Sequence, residues 1–273
     1  MSFRVLVTSI PMLSTLDDCQ ARFAAEALEV VAPQITRQYT EAELCEMIAD
    51  FDGVIAGDDP FTAKVLEIGR KGRLRALVRL GIGFDAVDVD AAKRLGIGFS
   101  NTPGVFNDEV ADLALGYLLL LARQHHKVDA AARVGEWLKF QGTTLRGKTA
   151  GIIGVGNVGK EIARRACSFG MALLGYDAYP VDPVFCEDTG MQLVEPDHIF
   201  RTADCIFLSC SLNADNYHLL NADTFATMKD GVWIINVARG ALIDEYALID
   251  ALESGKVGGA GLDVFETEPL GEG

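Results

Sequence analysis

The feature that most constrains this chain is a glycine loop set at a strand-to-helix transition. Residues 149–155 read Thr-Ala-Gly-Ile-Ile-Gly-Val, an apolar run that predicts a buried strand. Gly154-Val-Gly156-Asn157-Val158-Gly159 overlaps its end, and the residues beyond predict a helix over 157–169. A second strand over 172–176 leads to Asp177, 18 residues after the third glycine. This is the order and spacing of a βαβ unit that cradles a dinucleotide. Gly154 permits the tight turn, Gly156 lets a pyrophosphate approach the backbone at the helix N-terminus, and Gly159 lets helix and strand pack closely. Asp177 is placed to accept hydrogen bonds from the adenine-side ribose and to repel a 2′-phosphate, so NAD is expected rather than NADP. A ligand-free structural turn is the competing reading, and the strand, helix and acid around the loop argue against it. Two lookalikes fail the same test. Gly81-Ile-Gly83-Phe-Asp-Ala86 has a glycine at 104, where the acid should fall, and Gly96-Ile-Gly98 has no third small residue at 101.

Short β-branched runs alternate with amphipathic ones along most of the remaining chain, which predicts parallel sheets covered by helices. Strands are expected near 3–9, 53–57 and 76–81, more weakly at 29–32 and 97–100, and again at 204–209, 232–236 and 259–263. Helices are expected at 40–51, 62–70, 87–95, 222–228 and 245–253, with another starting at Asn107 or Asp108 whose apolar positions Val110, Leu113, Ala114, Tyr117, Leu118 and Leu121 follow the 3.6-residue period. The break at Asn101-Thr-Pro-Gly104 separates an expected domain 1–101 from a dinucleotide-binding domain 102–273. The fold class is therefore α/β, with two doubly wound parallel-sheet domains.

Hydrophobic residues make up 49% of the 273, enough for two cores, and 24 basic against 39 acidic side chains leave a net charge of −15. That balance disfavours nucleic acid and anionic membranes as partners. The apolar stretch 113–122 is about half a bilayer span. Six cysteines without a CxxC pair fit reduced thiols in a cytoplasmic protein, and no metal site is expected.

Four segments resemble the D-isomer-specific 2-hydroxyacid dehydrogenase family, most closely its phosphoglycerate-dehydrogenase-like members. They are Arg79-Leu-Gly-Ile-Gly-Phe-Asp-Ala-Val-Asp88, Asn101-Thr-Pro-Gly-Val105, the glycine loop with Asp177, and Ile235-Asn-Val-Ala-Arg-Gly240 followed by Ala260-Gly-Leu-Asp-Val-Phe-Glu-Thr-Glu-Pro269. The resemblance implies a flavodoxin-like substrate domain, a Rossmann domain, and hydride transfer between nicotinamide and C2 of a D-2-hydroxy or 2-oxo acid in a cleft between them. It implies that Arg239 holds the substrate's carboxylate and keto oxygen, a task suited to a permanently charged fork of donors. The backbone at Ile82 and Gly83 is implied to bind the same carboxylate. Val237, Ala238, Arg239 and Asp263 are implied to line the cofactor, with Asp263 at the nicotinamide carboxamide, and Glu268 to tune a catalytic histidine.

That histidine is expected roughly twenty residues beyond Pro269, whereas the sequence ends at Gly273, so a longer native chain is expected. His125, His126, His198 and His218 fit surface or structural roles. Leu208-Ser-Cys-Ser-Leu-Asn213 departs from the family's pattern at Ser209 and Ser211, beside the implied adenosine pocket. The apolar helix after residue 107 points to a homodimer, and Arg79 with Gly57-Asp-Asp-Pro60 points to 3-phosphoglycerate as one candidate substrate. The alternative function is an NAD(H)-sensing, corepressor-like binding protein of the same fold.

Overall fold

The computed structural model describes residues 2–268 and 270. In the first part of the chain, β1 (Phe3–Val7), β2 (Leu28–Val31), β3 (Gly53–Ala56), β4 (Ala76–Arg79) and β5 (Gly98–Asn101) form a parallel sheet in the order β2-β1-β3-β4-β5. This is the flavodoxin-like order, in which ligands meet the carboxyl ends of the strands. In the second part, β6 (Thr149–Ile153), β7 (Ala172–Tyr176), β8 (Gln192–Leu193), β9 (Cys205–Leu208), β10 (Val232–Asn236) and β11 (Val257–Leu262) form a parallel sheet in the order β11-β10-β9-β6-β7-β8. The chain winds outward from β6 in both directions, which is the Rossmann arrangement, and the turn after β6 faces the switch point. The two units part between Phe106 and Asn107.

Strand alternation builds the core of the second unit on both faces of its sheet. Ile152, Phe207 and Ile235 pack with Ala114, Leu118 and Ile162 on one side, while Ile153, Ile206 and Ile234 pack with Ile199, Phe225 and Leu248 on the other. Successive residues thus serve opposite layers, which is why these strands read as unbroken apolar runs. The first unit is centred on Leu6, Val54, Phe61, Leu66 and Leu77, all within one buried cluster. Side-chain caps define several helix starts: Thr40 forms a reciprocal box with Glu43, and Asp88, Asn221 and Asp244 accept from amides of the turns they open.

Some expectations need correction. The expected helix 40–51 is α-helical over Glu41–Met47 and tightens to a 3₁₀ turn at Ile48–Asp50. β6 stops at Ile153 rather than continuing to 155, because Gly154 turns the chain with φ +96°. The helix Asn107–Arg123 buries Ala111, Ala114, Leu115, Leu118 and Ala122, whereas Leu113 faces outward. The helix Asn157–Ser168 packs against it closely, and three alanines share the inner face with Leu115 and Leu118. Arg165 fastens the pair, reaching Asp108 at 2.8 Å and Asp112 at 2.5 Å across it, and is steadied by Glu161 on its own helix at 3.0 Å. The sequence pattern missed Leu16–Ala25, which buries no residue, and His125–Arg133, which buries only Ala131. It also missed the short helices Pro183–Thr189 and Pro196–Thr202.

Candidate active site

The three glycines after β6 divide between two tasks. A Cβ on Gly154 would lie 2.4 Å from the Cys210 nitrogen, and one on Gly159 would lie 1.9 Å from the Gly154 carbonyl oxygen. Gly156 meets nothing within 4 Å, and it caps the helix Asn157–Ser168 without a side-chain cap of its own. The first and third glycines therefore close the turn, and the second leaves the helix N-terminus, with the Asn157 and Val158 backbone, open to an anion. The Ser209 hydroxyl donates to the Gly154 carbonyl at 2.7 Å, so this departure from the family pattern braces the loop. Ser211 serves the neighbouring turn, its carbonyl accepting from the Asn216 amide at 2.7 Å. Burial pushes the adjacent Cys210 thiol up to about 11, which leaves it protonated and inert.

Asp177 is fixed at both oxygens. One accepts from the Val155 N–H at 2.7 Å and the other from the Tyr179 N–H at 2.9 Å. It lines a cavity of about 350 Å³ with Gly175, Ala178, Tyr179, Val194 and Glu195. Among the described residues that line it there is no lysine or arginine to neutralise a 2′-phosphate, and Glu195 adds a second acid. The donor set and open backbone fit NAD on the chain's own geometry.

Arg239 follows β10 on a turn organised by Asn236, which is fully buried. The Asn236 side chain accepts from the Ala238 N–H at 3.0 Å and donates to the Arg239 carbonyl at 2.8 Å, shaping Val237, Ala238 and Arg239 into one bend. Sequence reasoning places Asn236 in the motif without a role; the signal that could have found it is a polar residue closing an apolar strand. Gly240 then lets the acidic segment pass, since a Cβ there would lie 1.9 Å from the Phe265 carbonyl carbon. In that segment Glu268 accepts from the Phe265 N–H at 2.8 Å. Partial burial, and then the Glu268 charge, hold the Asp263 carboxyl above the usual aspartate range. Burial and then Asp263 likewise raise the Tyr117 phenol. His218 lies 3.1 Å from Glu266 and 3.9 Å from Asp244, while Glu245 and Glu266 exchange hydrogen bonds to each other's backbone N–H. His125 and His126 open the helix His125–Arg133, and His198 lies in the helix Pro196–Thr202.

In the first unit, the backbone after β4 is pinned by the segment after β5. The Thr102 hydroxyl accepts from the Gly81 N–H at 2.8 Å, and the Asn101 amide donates to the Ile82 carbonyl at 2.7 Å. Among the described residues the Ile82 and Gly83 N–H groups have no partner. No helix of the described residues is long and apolar enough to cross a membrane, and the six cysteines are free.

Residues 115–273 match the family model for the D-isomer specific 2-hydroxyacid dehydrogenase NAD binding domain. The chain is 41% identical over 247 residues to hydroxypyruvate reductase of Thermotoga maritima, covering 89% of this chain and 78% of that one. It is 38% identical over 245 residues to D-3-phosphoglycerate dehydrogenase of Methanocaldococcus jannaschii, covering 88% of this chain but 46% of the relative. Among solved structures, D-lactate dehydrogenase of Escherichia coli superposes with a TM-score of 0.85 at 32% identity, covering 97% of this chain and 83% of that one. With a βαβ unit built to hold NAD and this degree of kinship, the chain belongs to the D-isomer specific 2-hydroxyacid dehydrogenase family of NAD-dependent oxidoreductases.

Proposed function

We propose that the protein interconverts a D-2-hydroxy acid and its 2-oxo acid, with the substrate bound by the first unit and NAD by the second. NAD, when bound, supplies or accepts the hydride. Gly154, Gly156, Asn157, Val158, Gly159, Asp177, Val237, Ala238 and Asp263 are its proposed contacts. Arg239 is assigned the substrate's carboxylate and carbonyl oxygen, where its charge offsets the negative charge that develops as the carbonyl is reduced. The Ile82 and Gly83 amides are assigned the carboxylate. Glu268 is assigned the electrostatic support of the proton-transferring group, since a carboxylate nearby favours that group's protonated form.

The observation that carries this reading is the bend at Asn236, which fixes the Arg239 backbone while Gly240 brings the Phe265 backbone against it. The test is NADH oxidation by the full-length protein with a panel of short 2-oxo acids, in wild type and Arg239→Ala. Turnover in wild type and a loss of roughly 2–5 kcal/mol in kcat/KM in the variant are expected. Tight NADH binding without turnover of any acid would favour the NAD(H)-sensing alternative. The outward-facing Leu113 supports a homodimer through the helix Asn107–Arg123, and six free thiols support a cytoplasmic location.

A further inference from the structure

The carboxyl ends of β3 and β4 hold a charge pair that neither the cofactor assignment nor the substrate assignment uses. The Arg79 guanidinium donates to the Asp58 carboxylate, on the loop after β3, and to the Leu80 carbonyl. The arginine side chain is only 11% exposed, whereas that of Asp58 is 62% exposed. The guanidinium lies against Gly81, where a Cβ would come 2.5 Å from one terminal nitrogen and 3.0 Å from the central carbon. Its charge therefore sits at the mouth of the loop that carries the unpartnered Ile82 and Gly83 amides.

The loop that presents Asp58 is anchored from below. Asp59 is fully buried and accepts from the Tyr39 N–H at 2.7 Å and from the Thr8 hydroxyl. Thr8 in turn accepts from the Gly57 N–H at 3.2 Å. These buried bonds fix the backbone on either side of Asp58, so its carboxylate is presented to Arg79 from a defined loop. An arginine that is to receive a phosphate or a second carboxylate needs its fork free. Here the fork is already shared between a carboxylate and a carbonyl.

We propose that Asp58 is a specificity residue. By occupying Arg79 it excludes 2-oxo acids whose tail carries a phosphate or second carboxylate, and admits those with a short uncharged tail. This rests on the assignment of Ile82 and Gly83 to the substrate carboxylate, and it runs against 3-phosphoglycerate as the substrate.

The test is calorimetric titration of the NAD⁺-bound, full-length protein with hydroxypyruvate and with its 3-phosphate ester, because NAD⁺ has no hydride to give a 2-oxo acid and binding is read without turnover. Wild type, Asp58→Asn, and Asp58→Asn combined with Arg79→Leu are compared. Wild type should bind hydroxypyruvate at least about tenfold more tightly than the ester, and Asp58→Asn should shift that ratio toward the ester by about tenfold. The double variant should lose the shift, while Asp58→Asn keeps wild-type NADH affinity. A ratio unchanged by Asp58→Asn, or a wild type that favours the ester, overturns the proposal while leaving the 2-oxo acid reading intact. Failure of all three proteins to bind either compound overturns the assignment of Ile82 and Gly83, and the proposal with it.

Discussion

Two glycine loops in this chain look alike in sequence, Gly154-Val-Gly156 after β6 and Gly81-Ile-Gly83 after β4, yet they are built in different ways. After β6 a helix starts at once, and the loop folds tightly on itself, with no room for a Cβ at Gly159 beside the Gly154 carbonyl, and is braced by Ser209 and Asp177 from the neighbouring strand ends. After β4 the next helix begins only at Val89, and the loop is held by the Asn101 and Thr102 side chains from the next strand end. The first arrangement gathers amides at a helix end, the proposed seat of the pyrophosphate. The second leaves two isolated amides after a strand end, the proposed partners of one carboxylate. A glycine pair after a parallel strand thus specifies close backbone approach, and the element that succeeds it in the chain decides which ligand approaches.

The sharpest way to break this comparison is to add side chains at the first loop. Gly159→Val should destabilise the protein by at least the upper end of the about 1–3 kcal/mol typical of overpacking, because the rigid Gly154 carbonyl stands in the way. Gly156→Val should melt like wild type, since its side chain enters open space, yet lose about 100-fold in NADH affinity, close to 2.7 kcal/mol. Thermal melting and NADH fluorescence titration on both variants separate the two roles. Equal melting temperatures for the pair would mean that the third glycine is not a packing residue.

A smaller effect is expected at the cofactor's ribose edge. Wild type should prefer NADH over NADPH by at least about tenfold, or 1.4 kcal/mol, and Asp177→Asn should shrink that margin in parallel titrations. At the second loop, Thr102→Val removes one side-chain acceptor and should raise KM for the oxo acid by about 1 kcal/mol while leaving NADH affinity untouched. A variant that weakened both ligands equally would show that the two loops are not separately built.

The smallest effect concerns Asp263, whose pKa is raised in the folded protein. The folded state then binds this proton more readily than the unfolded chain, so the site costs stability once pH exceeds its folded pKa and costs nothing below the ordinary aspartate value. Asp263→Asn should therefore raise the melting temperature at neutral pH by an amount worth under about 1 kcal/mol, since solvent reaches the group. The gain should fade as pH drops below about 4. A gain that is constant with pH would remove the electrostatic account.

The legible parts of this molecule are those set by local sequence. The apolar run 149–153, the three glycines and Asp177 lie within one βαβ unit, and each has a backbone reason to be the residue it is. The helix Leu16–Ala25 was illegible because it buries nothing, and apolar spacing alone could not tell the inner Leu115 and Leu118 from the outer Leu113. The Asp58–Arg79 pair joins residues 21 apart through the sheet order, and only the parallel alignment of β3 with β4 reveals it. The resemblance supplied Arg239 and Glu268, but the buried Asn236 that shapes the arginine's bend became visible only in the structure.

The acidic lining of the cavity proposed for adenosine has a kinetic consequence. NADH is an anion approaching a chain of net charge −15, and that cavity presents Asp177 and Glu195 rather than any lysine or arginine among its described lining residues. The attraction of the helix end at Gly156 acts over a turn's length, whereas the repulsion acts over a Debye length of about 10 Å in 0.1 M salt. Salt therefore screens a barrier to encounter more than it weakens the bound state, and NADH should associate faster as ionic strength rises.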